Sequence, residues 1–478
     1  VNDYRTFLAA KRRPAPSSGI TVHPDDLLNA DALFPFQRQI VAWAVGRGRA
    51  AVWADTGLGK TRIEVAWLTQ LLASTGGRGL ILAPLAVAQQ TITEAARMGV
   101  DVEYVRDDSD VVDAAAQIVI TNYDRLHLID PSRFDAVALD ESSILKAYSG
   151  VTKRALVAMF SATPYRLSAS ATPAPNDIEE LCNHADFLGV MAPQEMRSTF
   201  FIADSRGEFM RYRLKGHAER SFYEWLASWA IACRHPRDLG FEQDGYDLPP
   251  LSIHDHLVNT GWTADGALFT TELAGVTQRA QVRKDTLDAR VRAALDVIAE
   301  HPDDPWLVWV GRNDESDAMV AGVVDLLGED ETAVVEVRGN DEPDTKAARL
   351  AAFARGDVQV LVTKPSIAGQ GLNFQRCARM VFVGLGDSYE QYYQAIRRCW
   401  RYGQDRPVDA HIVVADVEAP IVRNVRTKEA TAAATTDGLI AAIAAENRRE
   451  LFAGTSKGDD YEPSRPMTIP AWLRSEAA

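Results

Sequence analysis

A chain of 478 residues, 46% apolar and 24% charged, is too long for one core and too apolar to be mainly disordered, so two or three domains are expected. Its net charge of −15 excludes a generally basic nucleic-acid coat, although a motor needs only a local basic track. The four cysteines, Cys182, Cys233, Cys377 and Cys399, form no C-x-x-C pair and have no histidine cluster beside them, which argues against a metal centre or a disulfide framework.

No apolar run reaches membrane-spanning length, and Val1-Asn2-Asp3-Tyr4-Arg5 is polar with no signal-peptide core, so a cytoplasmic location is expected. Residues 1–30 read as a mixed arm carrying Lys11-Arg12-Arg13. Residues 33–45 read as an amphipathic helix entered through a turn at Pro35. The stretch Ala51-Val52-Trp53-Ala54-Asp55-Thr56-Gly57-Leu58-Gly59-Lys60-Thr61 follows: an apolar strand, a tight glycine turn, then Lys-Thr opening a helix. Gly57 and Gly59 let backbone N–H groups approach phosphate oxygens with no Cβ in the way. Lys60 can reach β- and γ-phosphates, and the Thr61 hydroxyl can hold Mg²⁺.

From 49 to 176, short apolar strands at 50–54, 79–83, 117–121, 136–139 and 165–169 alternate with helical stretches. This predicts a parallel sheet with helices on both faces. Ala54, Pro84, Asn122 and Asp140 follow strand ends and so converge on one edge, where such sheets bind ligands. The strand before Asp140-Glu141 ends in two adjacent carboxylates. Hydrolysis needs one acid to anchor Mg²⁺, which suits Asp140, and another to orient or deprotonate water, which suits Glu141.

Residues 177–284 break the alternation. They carry a basic run with Arg206, Arg211, Arg213, Lys215, His217 and Arg220, then a helix predicted over 221–232 whose Trp225 and Trp229 read as a core pair. After a helix around 276–300, strands at 306–310, 334–337, 358–363, 380–383 and 410–414 predict a second sheet domain. Arg398 and Arg401 lie three apart, on one face if helical. Placed in the second domain, they reach a γ-phosphate in the first only when the domains close. An alanine-rich helix near 429–452 precedes a polar tail.

Together these segments resemble superfamily two helicases, and among them the Swi/Snf-type double-stranded DNA translocases. Phe36-Gln37 is similar to the glutamine motif that reads adenine, and Ala54 to Thr61 is similar to motif I, with Thr56, Gly57, Gly59, Lys60 and Thr61 around the phosphates. Leu82-Ala83-Pro84-Leu85 resembles motif Ia, and Ile120-Thr121-Asn122-Tyr123-Asp124 the next nucleic-acid-contacting motif. Asp140-Glu141-Ser142-Ser143 stands where DEAD or DEAH would be, with Ser142-Ser143 departing from the family pattern. Two near-copies, Ser161-Ala162-Thr163-Pro164 and Ser170-Ala171-Thr172-Pro173, compete for motif III. The second is preferred because it follows a strand, which assigns coupling to Ser170 and Thr172. Gly369-Gln370-Gly371-Leu372-Asn373 resembles motif V, placing Gly371 at the nucleotide. Gln394 to Gln404 fits Q-A-x-x-R-x-x-R-x-G-Q.

The resemblance implies an α/β fold of two RecA-like parallel-sheet domains with a helical insertion and a C-terminal helical tail. The expected division is an arm (1–30), domain 1 (31–176), a helical, basic insertion and linker (177–284), domain 2 (285–425) and a helical tail (426–478). It implies ATP and Mg²⁺ as cofactors and a DNA motor, with duplex DNA preferred over single strands and RNA third. Lys60, Asp140, Glu141, Arg398 and Arg401 would be catalytic, with Thr121, Asn122, Lys364 and Arg211 contacting nucleic acid. The alternatives are an RNA remodelling helicase and an ATP-gated DNA clamp. The compact size is similar to helicases carried by phages, which implies a bacterial or phage-infected cytosol.

Overall fold

The computed structural model describes residues 17–146, 150–174, 177–204, 211–262, 276–328, 333–368 and 373–452. Lys11-Arg12-Arg13, Arg206, Gly371 and the polar tail lie outside these residues.

The first half of the chain contributes β1 (Arg49–Ala54), β2 (Gly79–Ala83), β3 (Val102–Tyr104), β4 (Ile118–Asn122), β5 (Ala136–Leu139) and β6 (Tyr165–Ala169). An antiparallel hairpin of β7 (Phe201–Asp204) and β8 (Arg211–Leu214) stands apart, and β9 (Ala230–Cys233) follows. The second half contributes β10 (Leu251–Val258), β11 (Trp306–Val310), β12 (Val334–Val337), β13 (Val360–Thr363), β14 (Arg379–Val383) and β15 (Val408–Ala415). They form two sheets, ordered β3-β4-β2-β5-β6-β1-β9 and β10-β15-β14-β11-β13-β12. Every pairing within both sheets is parallel. Central strands of such sheets are covered on both faces, which is why β1, β2 and β11 read as unbroken apolar runs.

The segment expected as a helical insertion is divided between the sheets. Its helix stops at Ala227, and Ala230–Cys233 pairs with β1 as an edge strand of the first sheet. Alanine favours helix, so here sheet pairing overrides local propensity. Trp225 and Trp229 are buried and meet edge to face at 5.2 Å, as a core pair does. At the other end of the segment, β10 edges the second sheet beside β15.

The C-terminal helix begins earlier than expected and runs over Ala419–Phe452. Near its start, Arg426 donates to Tyr392 Oη at 2.7 Å and Lys428 to the Asp387 carbonyl at 3.0 Å, both in the second domain. Its far end lies on the first domain. There buried Asn447 accepts from Ala232 N at 3.2 Å and donates to Ala230 O at 3.0 Å, satisfying the open edge of β9. No described helix is long and apolar enough to cross a membrane, and all four cysteines are buried thiols.

On β10 and β15, His411 stacks between His254 and His256 at 4.7 and 5.2 Å, and His256 Nε2 lies 3.0 Å from His411 Nδ1. Burial first, then His254, His256 and Arg379, push the His411 imidazole down to about 4, against the pull of Asp409. An unfolded chain binds that proton near 6.5, so the stability of the neutral ring is lost as pH falls from there toward 4. The urea midpoint of the second domain is expected to drop between pH 7 and pH 5, and His411→Asn should flatten that drop. An unchanged pH profile in the variant would assign the loss to other groups.

Candidate functional site

The carboxyl end of the first sheet borders a cleft whose opposite wall comes from the second domain. The first domain's wall begins where β1 ends. The glycine turn then feeds the helix Lys60–Thr75, whose N-terminal N–H groups and dipole favour an anion. Gly57 and Gly59 have φ of +93° and +80°. Contacts as well as conformation require glycine here. A Cβ on Gly59 would lie 2.3 Å from Gln37 Nε2, and one on Gly57 would lie 3.1 Å from Tyr402 of the second domain.

Lys60 is buried and donates to the Ala54 carbonyl at 3.0 Å, which holds its ammonium over the turn. Thr56 and Thr61 line the same wall. Gln37 is held at both ends, its Nε2 donating to Leu58 O at 2.9 Å and its Oε1 accepting from Phe34 N at 2.9 Å, which leaves one N–H and one lone pair of the amide to spare. It therefore shapes the phosphate turn as well as bordering the cleft. Phe34, Tyr246 and Tyr402 stand beside it, with Tyr246 and Tyr402 rings 4.5 Å apart. This aromatic corner, suited to a planar base, was missed because its three residues come from distant segments.

Asp140 ends β5 on the cleft floor, and its carboxylate accepts from Glu141 N at 2.9 Å. Burial first, then the charge of Glu141, raise Asp140 to about 7, while Lys60 opposes them. A cation beside Asp140 would reverse that shift. Glu141 has φ +51°, the only positive φ of a non-glycine among the described residues. Such a conformation costs about 1–3 kcal/mol and marks a side chain aimed by its surroundings.

The facing wall belongs to the second domain and includes Asn373, Gln375, Arg398 and Arg401. Here the helix expectation needs correction. The helix Tyr389–Ile396 ends before both arginines, which project from the turns that follow. Arg398 is held by its own turn, donating from Nε to the Gln394 carbonyl at 2.9 Å. Burial lowers Arg398 to about 10; burial and the neighbouring arginines lower Arg401 to about 9. Both remain cationic at neutral pH.

Arg397 was not anticipated. It pairs with Asp55 and donates from Nε to Thr56 Oγ1, while Tyr393 Oη donates to Asp55 Oδ1 at 2.7 Å. Burial pushes the Asp55 carboxyl up, but Arg397, Tyr393 and the Thr56 N–H more than offset it and leave it below the usual range. The second domain thus grips the phosphate turn directly. The sequence signal was the i, i+4 spacing of Tyr393 and Arg397.

The two serines after Asp140-Glu141 point different ways. Ser143 donates to Glu390 of the second domain at 2.8 Å. Ser142 joins a buried chain in which Ser142 and Ser168 are 2.9 Å apart, Ser168 and His184 Nδ1 2.6 Å, and His184 Nε2 and the Pro173 carbonyl 3.0 Å. A carbonyl only accepts, so Nε2 carries the proton and Nδ1 accepts from Ser168. Ser168 must then accept from Ser142. The chain ends in the Ser170-Ala171-Thr172-Pro173 copy, which follows β6, whereas Ser161 to Pro164 precedes that strand. Ser170 is buried and accepts from Thr172 N at 3.1 Å.

Of the remaining expected residues, Thr121 is enclosed within β4, and Asn122 caps the next turn by accepting from Arg125 N at 3.2 Å. Lys364, after β13, donates to Asn313 at 2.7 Å. Arg211 opens β8, but its side chain, like Gly371, lies outside the described residues.

Comparison with known families decides how this cleft is read. Residues 34–181 match the DEAD/DEAH box helicase model, and residues 289–403 match the helicase conserved C-terminal domain. The chain carries both domains of a superfamily two helicase. The cleft lies between those two matched domains, each contributing one wall. A protein designated p41, of Acyrthosiphon pisum secondary endosymbiont phage 1, is 23% identical over 448 residues, covering 80% of this chain and 92% of p41. The crystal structure of the DUF1998 helicase MrfA bound to DNA and AMPPNP is similar in fold, with TM-score 0.56 at 14% identity. That likeness covers 87% of this chain, which spans 54% of the MrfA chain.

Proposed function

We propose that this helicase hydrolyses ATP–Mg²⁺ to move along DNA, duplex DNA foremost, in the manner of Swi/Snf-type translocases. The observation that carries the reading is the pairing of two incomplete walls: Lys60, Thr61, Asp140 and Glu141 on one domain, Arg398 and Arg401 on the other. In this reading Lys60 and the N–H groups of the glycine turn bind the phosphates. Thr61 and Asp140 hold Mg²⁺, which would neutralise phosphate charge and polarise the γ-phosphoryl group. The donor set suits that ion, because Mg²⁺ takes one or two protein oxygens and keeps several waters. Glu141 accepts a proton from the attacking water, and Arg398 and Arg401 meet the charge that develops on the transferred group. Gln37 and the aromatic corner take the adenine.

Nucleic acid would cross both domains at the loops after β4 and β13, where Asn122 and Lys364 lie, with Thr121 enclosed behind that track and Arg211 a further candidate contact from β8. Its contacts would fall mainly on phosphates and weaken with salt. The DNA in the MrfA crystal and the phage origin of p41 support DNA as the track and a bacterial or phage-infected cytosol as the setting. Ser170 and Thr172 would pass the nucleotide state to that track.

Steady-state ATPase measured with duplex DNA, single-stranded DNA and RNA tests this. Duplex DNA is expected to stimulate most, and triplex displacement is expected to require ATP. Stimulation by RNA alone would make the protein an RNA remodeller. Stimulation by DNA without triplex displacement would make it a clamp.

A further inference from the structure

His184 lies outside every segment that resembles a motif, yet it joins two that do. It stands in the helix Leu181–Leu188, whose Leu181, Cys182, Ala185, Phe187 and Leu188 belong to the apolar core of the first domain. Its ring meets Trp53 edge to face at 5.5 Å. Ser142, Ser168 and His184 are each 0% exposed, and none of their side-chain N or O atoms lacks a partner. Stripping three polar groups of water costs free energy, and an apolar trio would fill this place without that cost. What a satisfied buried network adds is rigidity and a single arrangement.

The arrangement here runs in one direction. Ser142 donates to Ser168 at 2.9 Å, Ser168 to His184 Nδ1 at 2.6 Å, and His184 Nε2 to the Pro173 carbonyl at 3.0 Å. Burial pushes the His184 imidazole down to about 4, against the pull of the Pro173 carbonyl, so the ring is neutral near pH 7. Both ends of the chain abut the second domain. Beside Ser142, Ser143 donates to Glu390 at 2.8 Å. At the other end, Thr172 and Pro173 line one cavity with Tyr389 and Tyr393. Tyr389, Glu390 and Tyr393 all lie on the helix Tyr389–Ile396. That helix also reaches the phosphate turn, where Tyr393 Oη donates to Asp55 at 2.7 Å. The first domain thus presents two segments to one helix of the second, and His184 ties them together from behind.

We propose that His184 is a positioning residue which, through Ser168, locks the segment after Asp140-Glu141 to the Ser170–Pro173 segment, so that the helix Tyr389–Ile396 meets both as one face. The proposal rests on the reading in which Ser170 and Thr172 pass the nucleotide state to the nucleic-acid track. His184 is buried and does not line the ATP cleft, so it acts only through its neighbours. Segments linked in this way follow the helix together, and closure of the domains then has one outcome at the carboxylates and at the coupling segment. Unlinked, the two segments answer the helix separately, and nucleic acid loses its hold on the rate of hydrolysis.

Ser168→Ala, His184→Leu and the double variant test this in the full chain. ATP turnover is measured alone and with whichever of duplex DNA, single-stranded DNA and RNA stimulates the wild type most. In each single variant, basal turnover and the ATP concentration for half-maximal rate are expected to stay within about twofold of wild type, while the stimulation falls about tenfold. The double variant should lose no more than either single one, because the two residues act as one link. Ser168→Ala removes a single oxygen, so its result stands even where His184→Leu fails to fold. Wild-type stimulation in Ser168→Ala would overturn the proposal. Equal falls in basal and stimulated turnover would also overturn it, by reducing the network to core packing. Losses that multiply in the double variant would do the same, by making the two residues independent. A wild-type protein stimulated by neither DNA nor RNA would overturn the motor reading along with the proposal.

Discussion

Glu141→Gln is expected to lower ATP turnover about 10²–10⁴-fold while leaving nucleotide and DNA binding within about threefold of wild type. The amide matches the carboxylate in shape but cannot accept the proton of an attacking water. The backbone at φ +51° is kept, and Asp140 still accepts from the N–H of residue 141, so the cleft floor does not collapse. Lys60→Ala should abolish turnover by a different route, because the missing ammonium also weakens phosphate binding. Turnover above a tenth of wild type in Glu141→Gln would place the base elsewhere. Turnover assays paired with equilibrium binding of a fluorescent ATP analogue separate the two effects.

Arg397→Ala is expected to be nearly as damaging, although Arg397 lies outside the pair expected to sense phosphate. Its guanidinium is buried and joins Asp55 and Thr56 across the domain boundary. Truncation leaves the Asp55 carboxylate half-buried with only Tyr393 and backbone donors. Breaking a buried pair from one side costs about 3–5 kcal/mol, or about 10²–10⁴ in the equilibrium between docked and separated domains. Tyr393→Phe removes one hydrogen bond from the same carboxylate and should cost about 1–3 kcal/mol. Fluorescence transfer between dyes on the two domains reads the docking, and the ATP concentration for half-maximal turnover should rise in step. Unchanged docking in Arg397→Ala would reduce the contact to a passive one.

Much of this was legible in the sequence because the chemistry is local. The glycine turn, Asp140-Glu141 and the arginine-bearing segment each carry their meaning within a few residues, and continuous burial makes β1, β2, β5 and β11 plain. Other features depend on what folding brings from elsewhere. β9 is an alanine-rich run that becomes a strand because β1 needs a partner on its open side. β10 is half exposed at its edge, so it lacks the continuous apolar signal of the central strands. The aromatic corner of Phe34, Tyr246 and Tyr402 exists only after the domains pack. The preference between the two Ser-Ala-Thr-Pro copies rests on chain order, since only the second follows β6.

The helix Ala419–Phe452 has a mechanical consequence. At about 1.5 Å per residue, its 34 residues make a rod roughly 50 Å long. One end continues from β15, and the other is clasped by Gln39, Arg234 and the edge of β9. The chain also crosses between the sheets from β9 to β10, so the second domain is tethered at both its entrance and its exit. A body held by a stiff rod and a short strap can swing but cannot drift. Motion of the cleft is thereby confined to an arc of fixed radius, and each swing returns Arg397, Arg398 and Arg401 to the phosphate turn at high effective concentration.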